Sequence, residues 1–313
     1  MTTVFRSEEG RDKVWTSYDR LLEQWGVPIE ERDLPTSFGT THVLLAGDPA
    51  HPPLLLFHGV GDNSALMWVF NARGLAKDFR LIAVDTLGGP GKSIPNDLYF
   101  QKMNDVAWID ELADALGLHR FHVAGVSNGA YLAALYTAKR PSRADRAVCM
   151  AGGLERSLLR MLRLFLPEAL FPGESSTRRL LHKMCGTNTA VFEENEDLMR
   201  HWGLLLKHFN PRSMMSHPYL PLNTEENVAI LRQKASFIMG SKDPLSHYPK
   251  ALASLERAEL RYQVIEGAGH SVNHEQHEVV NTLMREWLMK GAVPGLASDL
   301  LGHTENTEHA ESQ

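Results

Sequence analysis

The residues with the clearest capacity for chemistry lie in Gly125-Val126-Ser127-Asn128-Gly129. An apolar run, Phe121 to Gly125, precedes this stretch, and a helical pattern, Asn128 to Lys139, follows it. That setting places a serine on a sharp strand-to-helix turn, where its hydroxyl stands clear of the backbone. Such a turn is strained, and a glycine two residues to either side leaves room for the neighbouring chain, so Gly125 and Gly129 are read as its supports. Ser127 is the expected nucleophile. A serine hydroxyl attacks a carbonyl at neutral pH only with a base beside it and a third group that orients the base. Two later segments offer these groups: Gly240-Ser241-Lys242-Asp243-Pro244 after the run 235 to 239, and Gly267-Ala268-Gly269-His270 after the run 260 to 265. Taken singly, Asp243 reads equally as a turn aspartate before proline and His270 as a glycine-flanked surface histidine. Together with Ser127 they give the order serine, aspartate, histidine, each at the end of an expected strand, and the three are assigned as a catalytic triad.

A fourth segment, Phe57-His58-Gly59-Val60-Gly61-Asp62, follows the run Leu54 to Phe57. Gly59 and Gly61 permit the turn that points backbone N–H groups at a developing negative oxygen. The expected donors are the N–H of Val60 and the N–H of Asn128. His58 precedes the turn and is expected to hold the loop by hydrogen bonds rather than to act as a base.

These loops need a frame. Residues 11 to 25 carry Val14, Trp15, Tyr18, Leu21, Leu22 and Trp25 at helical spacing, which predicts an amphipathic helix. Asp33 to Ser37 and Thr40 to Ala46, around Phe38-Gly39, predict a β-hairpin. From Pro53 short apolar runs (54 to 57, 81 to 84, 121 to 125, 147 to 151) alternate with helical stretches (64 to 77, 104 to 116, 128 to 139). Apolar runs without alternation suit strands buried on both faces, joined by helical crossovers. The fold class predicted is α/β, a mostly parallel sheet flanked by helices. The alternation stops at Gly153. Residues 154–230 read as a helical cap, with Leu154, Leu158, Leu162, Phe165 and Leu166 on one face of its first helix and Arg156, Arg160 and Arg163 on the other. Breaks are expected at 167 and 172 to 173, and helices around 177 to 184, 188 to 192 and 194 to 209. Sheet signals resume at 235 to 239, followed by a helix at 248 to 257, the run 260 to 265 and a closing helix at 274 to 290. The core is thus assigned to 1–153 and 231–292, and the polar tail 293–313 is expected to be disordered.

Composition narrows the function. The chain has 313 residues, 43% of them hydrophobic, and a net charge of -6, so neither nucleic acid nor an anionic membrane is an expected partner. The charged first fifteen residues hold no apolar core of the kind a signal peptide needs, and a cytoplasmic location is expected. Cys149 and Cys185 are read as free thiols. Two further patterns are set aside. Leu87 to Ser93 resembles a phosphate loop, but Thr86 stands where its first glycine would fall. His270, His274 and His277 share a helical spacing without a His-Glu-x-x-His pattern; no metal and no organic cofactor are expected.

With these motifs in place the chain resembles the α/β-hydrolase superfamily, and within it capped bacterial carboxylesterases, some of which cleave esters of bulky aryl-propionic acids. The resemblance spans residues 5 to 290 and is weakest through the cap. Beyond the triad it rests on Ser37-Phe38-Gly39-Thr40-Thr41-His42-Val43, on Ala83-Val84-Asp85 with Lys92-Ser93-Ile94-Pro95, and on Ala268-Gly269-His270 with Glu275-Gln276. It implies triad roles for Ser127, Asp243 and His270, an oxyanion hole at Val60 and Asn128, and a small-molecule ester as substrate. Asn128 departs from the larger apolar or aromatic residue that many relatives carry after the serine. The rival readings are the same fold acting on a carbon–carbon bond, a lactone or an amide, an interfacial lipase with a lid after Gly153, and a small-molecule receptor that turns over slowly. The oligomeric state is not legible.

Overall fold

The computed structural model describes residues 3–154, 158–170 and 173–290. The expected tail, the break at Pro172 and Arg156 fall outside them. The strands are β1 (Ile29–Thr36), β2 (Gly39–Ala46), β3 (Pro53–Phe57), β4 (Arg80–Val84), β5 (Ile94–Pro95), β6 (Phe121–Val126), β7 (Ala144–Met150), β8 (Ala235–Gly240) and β9 (Arg261–Ile265). Before and between the first seven lie α1 (Glu8–Glu23), α2 (Ser64–Met67), α3 (Ala72–Leu75), α4 (Asp97–Lys102), α5 (Asp105–Ala115) and α6 (Asn128–Lys139). Between β7 and β8 come α7 (Leu158–Leu170), α8 (Glu174–Met184), α9 (Ala190–Glu193), α10 (Glu196–His208), a 3-10 turn (Pro211–Ser216) and α11 (Glu225–Lys234). The chain continues through α12 (Pro249–Arg257), α13 (Val272–Glu275) and α14 (His277–Lys290).

One nine-stranded sheet has the order β1-β2-β4-β3-β6-β7-β8-β9, with β5 beside β2. The β1–β2 hairpin and the β2–β4 pair are antiparallel, and every pair from β4 to β9 is parallel. This is the predicted α/β class. Successive side chains point to opposite faces of a strand, so the unbroken apolar runs feed two cores. Leu55, Phe57, Ile82, Val84 and Val123 pack on one face with Trp108 of α5 and Leu132 and Tyr136 of α6. Leu54, Leu56, Leu81, Ala83 and Ala124 pack on the other with Tyr18 of α1, Trp25, Trp68 and Trp287 of α14. At about 25 cal/mol per Å² of apolar surface, each buried Leu, Ile, Val or Phe among them contributes roughly 1.5–3 kcal/mol.

Several expectations shift. The first helix starts at Glu8 because the Ser7 hydroxyl accepts the Gly10 N–H at 3.0 Å and so caps it. The hairpin begins at Ile29, not Asp33: the ladder continues along an edge strand whose Glu30, Glu31 and Arg32 are exposed and carry no apolar signal. The helix expected over 64 to 77 is two single turns, because the run Trp68-Val69-Phe70 is poor helix-forming sequence and Trp68 is buried in the core. The closing helix is broken at Gln276 into α13 and α14. Pro167 does not end α7, which runs through it to Leu170. The apolar face of α7 is also turned: Leu164 is buried, whereas Leu159, Leu162, Leu166 and Leu170 are exposed. The helix α11 crosses position 230 and packs on α6, burying Val228 and Leu231 with the sheet. Among the described residues no helix is long and apolar enough to cross a membrane.

Candidate active site

Ser127 is the single residue between β6 and α6, with φ 57° and ψ -110°. A non-glycine residue held there costs roughly 1–3 kcal/mol and needs its surroundings to enforce it. They do so sterically. A side chain on Gly125 would lie 2.2 Å from the Gly129 carbonyl, and one on Gly129 would lie 2.1 Å from the Phe57 carbonyl oxygen. The Ser127 N–H donates to the Met150 carbonyl at 2.8 Å, tying the elbow to the end of β7.

β8 and β9 run parallel to β6, so the loops after them open at the same edge of the sheet. There His270 Nδ1 donates to the Asp243 carboxylate, at 3.0 Å from Oδ1 and 2.9 Å from Oδ2. Both side chains are buried. Asp243 also accepts the N–H groups of Leu245 and Ser246, at 2.8 and 3.2 Å, and the Ser246 hydroxyl. Burial alone drives the Asp243 carboxyl upward, but the His270 charge and these hydrogen bonds outweigh it and leave the pKa lowered. Burial likewise depresses His270, and the charge and hydrogen bond of Asp243, with Asp62 and Glu275 behind, overcome it and leave the imidazole raised. With Nδ1 taken by Asp243, Nε2 is the ring atom left for a neighbour. Among the described residues no hydrogen bond joins it to Ser127.

The His58–Asp62 loop lies against the elbow: the point where a Gly59 side chain would begin is 3.5 Å from the Ser127 Cβ. His58 is wholly buried, donates from Nδ1 to the Gly59 carbonyl at 2.8 Å and accepts the Thr86 N–H at Nε2, 2.9 Å away. Those bonds define a neutral tautomer, and burial lowers its pKa. The backbone N–H groups of Val60 and Asn128 have no hydrogen-bond partner among the described residues. Both residues line a cavity of about 200 Å³, whose other walls include Tyr131, Leu132, Met214 and His217. Gly61, at φ 81°, completes the turn.

The two patterns set aside in the sequence have other partners. The bend from Asp85 to Ser93 wraps the Asp85 carboxylate, which accepts the N–H groups of Ser64 at 2.9 Å and Lys92 at 2.7 Å. His274 bonds through Nε2 to the Leu66 carbonyl, and His277 through Nδ1 to the His274 carbonyl.

Other residues of the site escaped the sequence reading. Ser246 stands three residues after Asp243, the spacing of a local side-chain turn, and could have been found by it. Glu275, noted in the sequence only as part of the family likeness, accepts the N–H of Gly269 at 2.9 Å and of Gly186 at 2.8 Å, clamping the His270 loop. Asp62 sits inside a segment already singled out, yet its carboxyl was not weighed. In the cavity wall His217 Nδ1 bonds Asp105, which is buried, and Nε2 donates to the Leu87 carbonyl at 2.8 Å; 112 residues separate that pair, and no local signal joins them.

A strained serine elbow, a buried Asp–His pair on later strand ends and two unpaired N–H groups at a cavity thus open at one edge of this sheet. The family model for the alpha/beta hydrolase fold matches residues 52–276, and the chain belongs to that family. Its relatives include the carboxylesterase YbfK of Bacillus subtilis (strain 168), 25% identical over 92% of this chain and 97% of that protein. The uncharacterized carboxylesterase nap of the same organism is 26% identical over 86% of this chain and 90% of its own. The crystal structure of naproxen esterase (carboxylesterase NP) from Bacillus subtilis superposes with a TM-score of 0.77 at 23% identity, covering 90% of this chain and 99% of that one. The chain is a carboxylesterase-like hydrolase.

Proposed function

We propose that the protein is a serine hydrolase that cleaves carboxylic esters through an acyl-enzyme, with Ser127 as nucleophile, His270 as general base and Asp243 as its orienting acid. The observation that carries the reading is the backbone of Ser127, held at a positive φ on a glycine-flanked elbow; strain of this kind persists where it presents a side chain for use. Ser127 Oγ attacks the ester carbonyl carbon while Nε2 of His270 takes its proton. Asp243 holds the Nδ1–H and stabilises the imidazolium. The negative oxygen of the tetrahedral intermediate takes hydrogen bonds from the N–H groups of Val60 and Asn128, which are otherwise unpaired. His270 then protonates the departing alcohol. Water, deprotonated by His270, attacks the acyl carbon, and the carboxylic acid leaves as Ser127 regains its proton.

The cavity supports a reading of the substrate class. Leu132, Pro211, Met214 and Met215 give it an apolar side beside the polar Asn128, Tyr131 and His217, and about 200 Å³ suits a small to medium apolar or aromatic group. The name of naproxen esterase points to an aryl acid ester for that relative, and an ester of this kind is proposed here. The test is a fluorophosphonate label followed by turnover on a panel running from acetate to aryl-propionate esters. Ser127 is expected to take the label, and the longer or aromatic acyl groups to be preferred. Ser127→Ala is expected to lower kcat by roughly a millionfold. A variant that keeps a tenth of the activity rules the assignment out.

A further inference from the structure

One carboxyl beside this site has no role in the mechanism above. Asp62 closes the turn Gly59-Val60-Gly61-Asp62, its N–H reaching the Gly59 carbonyl at 3.4 Å. Its Oδ2 lies 3.5 Å from the point where a Gly59 side chain would begin, and the Ser127 Cβ lies 3.5 Å from that same point. The carboxyl and the nucleophile's side chain are therefore no more than twice that distance apart. Asp62 is half-buried, and among the described residues no donor hydrogen-bonds its side chain. The charge acting on it is that of His270, from the loop after β9. His270 in turn faces Asp243 from the loop after β8, Asp62 from the loop after β3 and Glu275 from α13.

We propose that Asp62 is a third ionisable group of the hydrolytic site, a positioning residue that acts by its charge on His270 and on the substrate carbonyl, so that the site works while Asp62 is neutral. The proposal rests on the triad reading given above. An ionised Asp62 keeps a proton on His270, which must shed it to serve as a base. It also sets a negative charge next to the place where the tetrahedral oxyanion forms, and so opposes the bond-making step. A neutral carboxyl does neither. Burial pushes its pKa up to about 7, with the His270 charge opposing, so the carboxyl changes charge near neutral pH. The two groups titrate as a coupled pair. The pH profile of kcat/KM should then be a bell, rising as His270 loses its proton and falling as Asp62 loses its own.

Asp62→Asn keeps the shape and removes the charge; Asp62→Ser is the second variant, in case the amide disturbs the turn. Two readouts are needed. In the NMR titration of the His270 ring, which needs no substrate, the variants should move the His270 midpoint down by roughly half a pH unit. In ester turnover against pH the alkaline limb of the wild type should vanish, leaving the variants at least about tenfold more active than wild type at pH 9. An unchanged His270 titration, or an alkaline limb that survives in both variants, overturns the proposal. If wild type turned over no ester at all, the ester reading would fall, while the NMR titration would still decide the part played by Asp62.

Discussion

Asp243 and His270 move each other's protons in opposite directions, and the pair links stability to activity. The Asp243 pKa is lowered on folding, so its contribution is present above the ordinary carboxylate value near 3.8 and is lost as pH falls through the folded value. The His270 pKa is raised, so its contribution is full below the ordinary 6.5 and is lost as pH rises through the folded value. The ionic part of the pair therefore acts most strongly between these two pH values. On the proposed mechanism activity follows the opposite course on the upper side, since only a neutral His270 would accept the Ser127 proton. We expect kcat/KM to rise with a midpoint above 6.5, and Asp243→Asn to move that midpoint down while lowering kcat by roughly ten-thousandfold. A pH–rate series on both proteins checks this, with denaturation midpoints over the same range reporting the stability window.

At the scale of elements, the elbow works because β3, β6 and α6 come together within van der Waals limits. Gly129 is the contact point: any Cβ there meets the backbone oxygen of Phe57 at 2.1 Å, and backbone cannot rotate away as a side chain would. Gly129→Ala must push α6 off β3 and should cost about 3 kcal/mol or more. Gly117, after α5, provides the contrast. It also has a positive φ, 66°, but a Cβ there meets nothing within 4 Å. Gly117→Ala should cost only the left-handed backbone penalty, about 1 kcal/mol. Chemical denaturation of the two variants separates steric from conformational demand. Equal losses would show that the elbow has more slack than these contacts allow.

Across the whole molecule, the segment between β7 and β8 meets the core at the His270 loop. The His270 N–H donates to the Met184 carbonyl at 2.6 Å, at the end of α8, and the Thr187 N–H to the Gly267 carbonyl at 2.8 Å. A side chain on Gly186 would lie 1.9 Å from the Gly267 oxygen. Glu275, buried on α13, accepts one N–H from each side, Gly186 and Gly269. Burial raises its pKa against these bonds. Glu275→Ala leaves two donors without a partner, and is expected to destabilise the fold by about 3 kcal/mol. By loosening the imidazole it should also reduce kcat roughly 10- to 100-fold. Glu275→Gln keeps an acceptor oxygen and should recover part of both losses. Denaturation and ester turnover on the two variants measure the clamp.

What can be read along the chain and what cannot divide by the range of the interactions involved. Glycine spacing around Ser127, unbroken apolar runs at 54 to 57 and 121 to 125, and turn residues before Asp243 and His270 are local features. They determined the strands, the elbow and the serine–aspartate–histidine order without any knowledge of contacts. The expected apolar face of α7 came from the same periodicity, but which side of a helix is covered depends on what lies beside it, and Leu162 and Leu166 face outward. The charged edge strand from Ile29 is held by its ladder to Ala46, not by its own composition. Only tertiary structure joins Asp105 to His217, places the Glu275 clamp between Gly186 and Gly269, and sets the Asp62 carboxyl across the Gly59 turn from the Ser127 side chain. A polar side chain carries no sign of its partner until folding has removed the water between them.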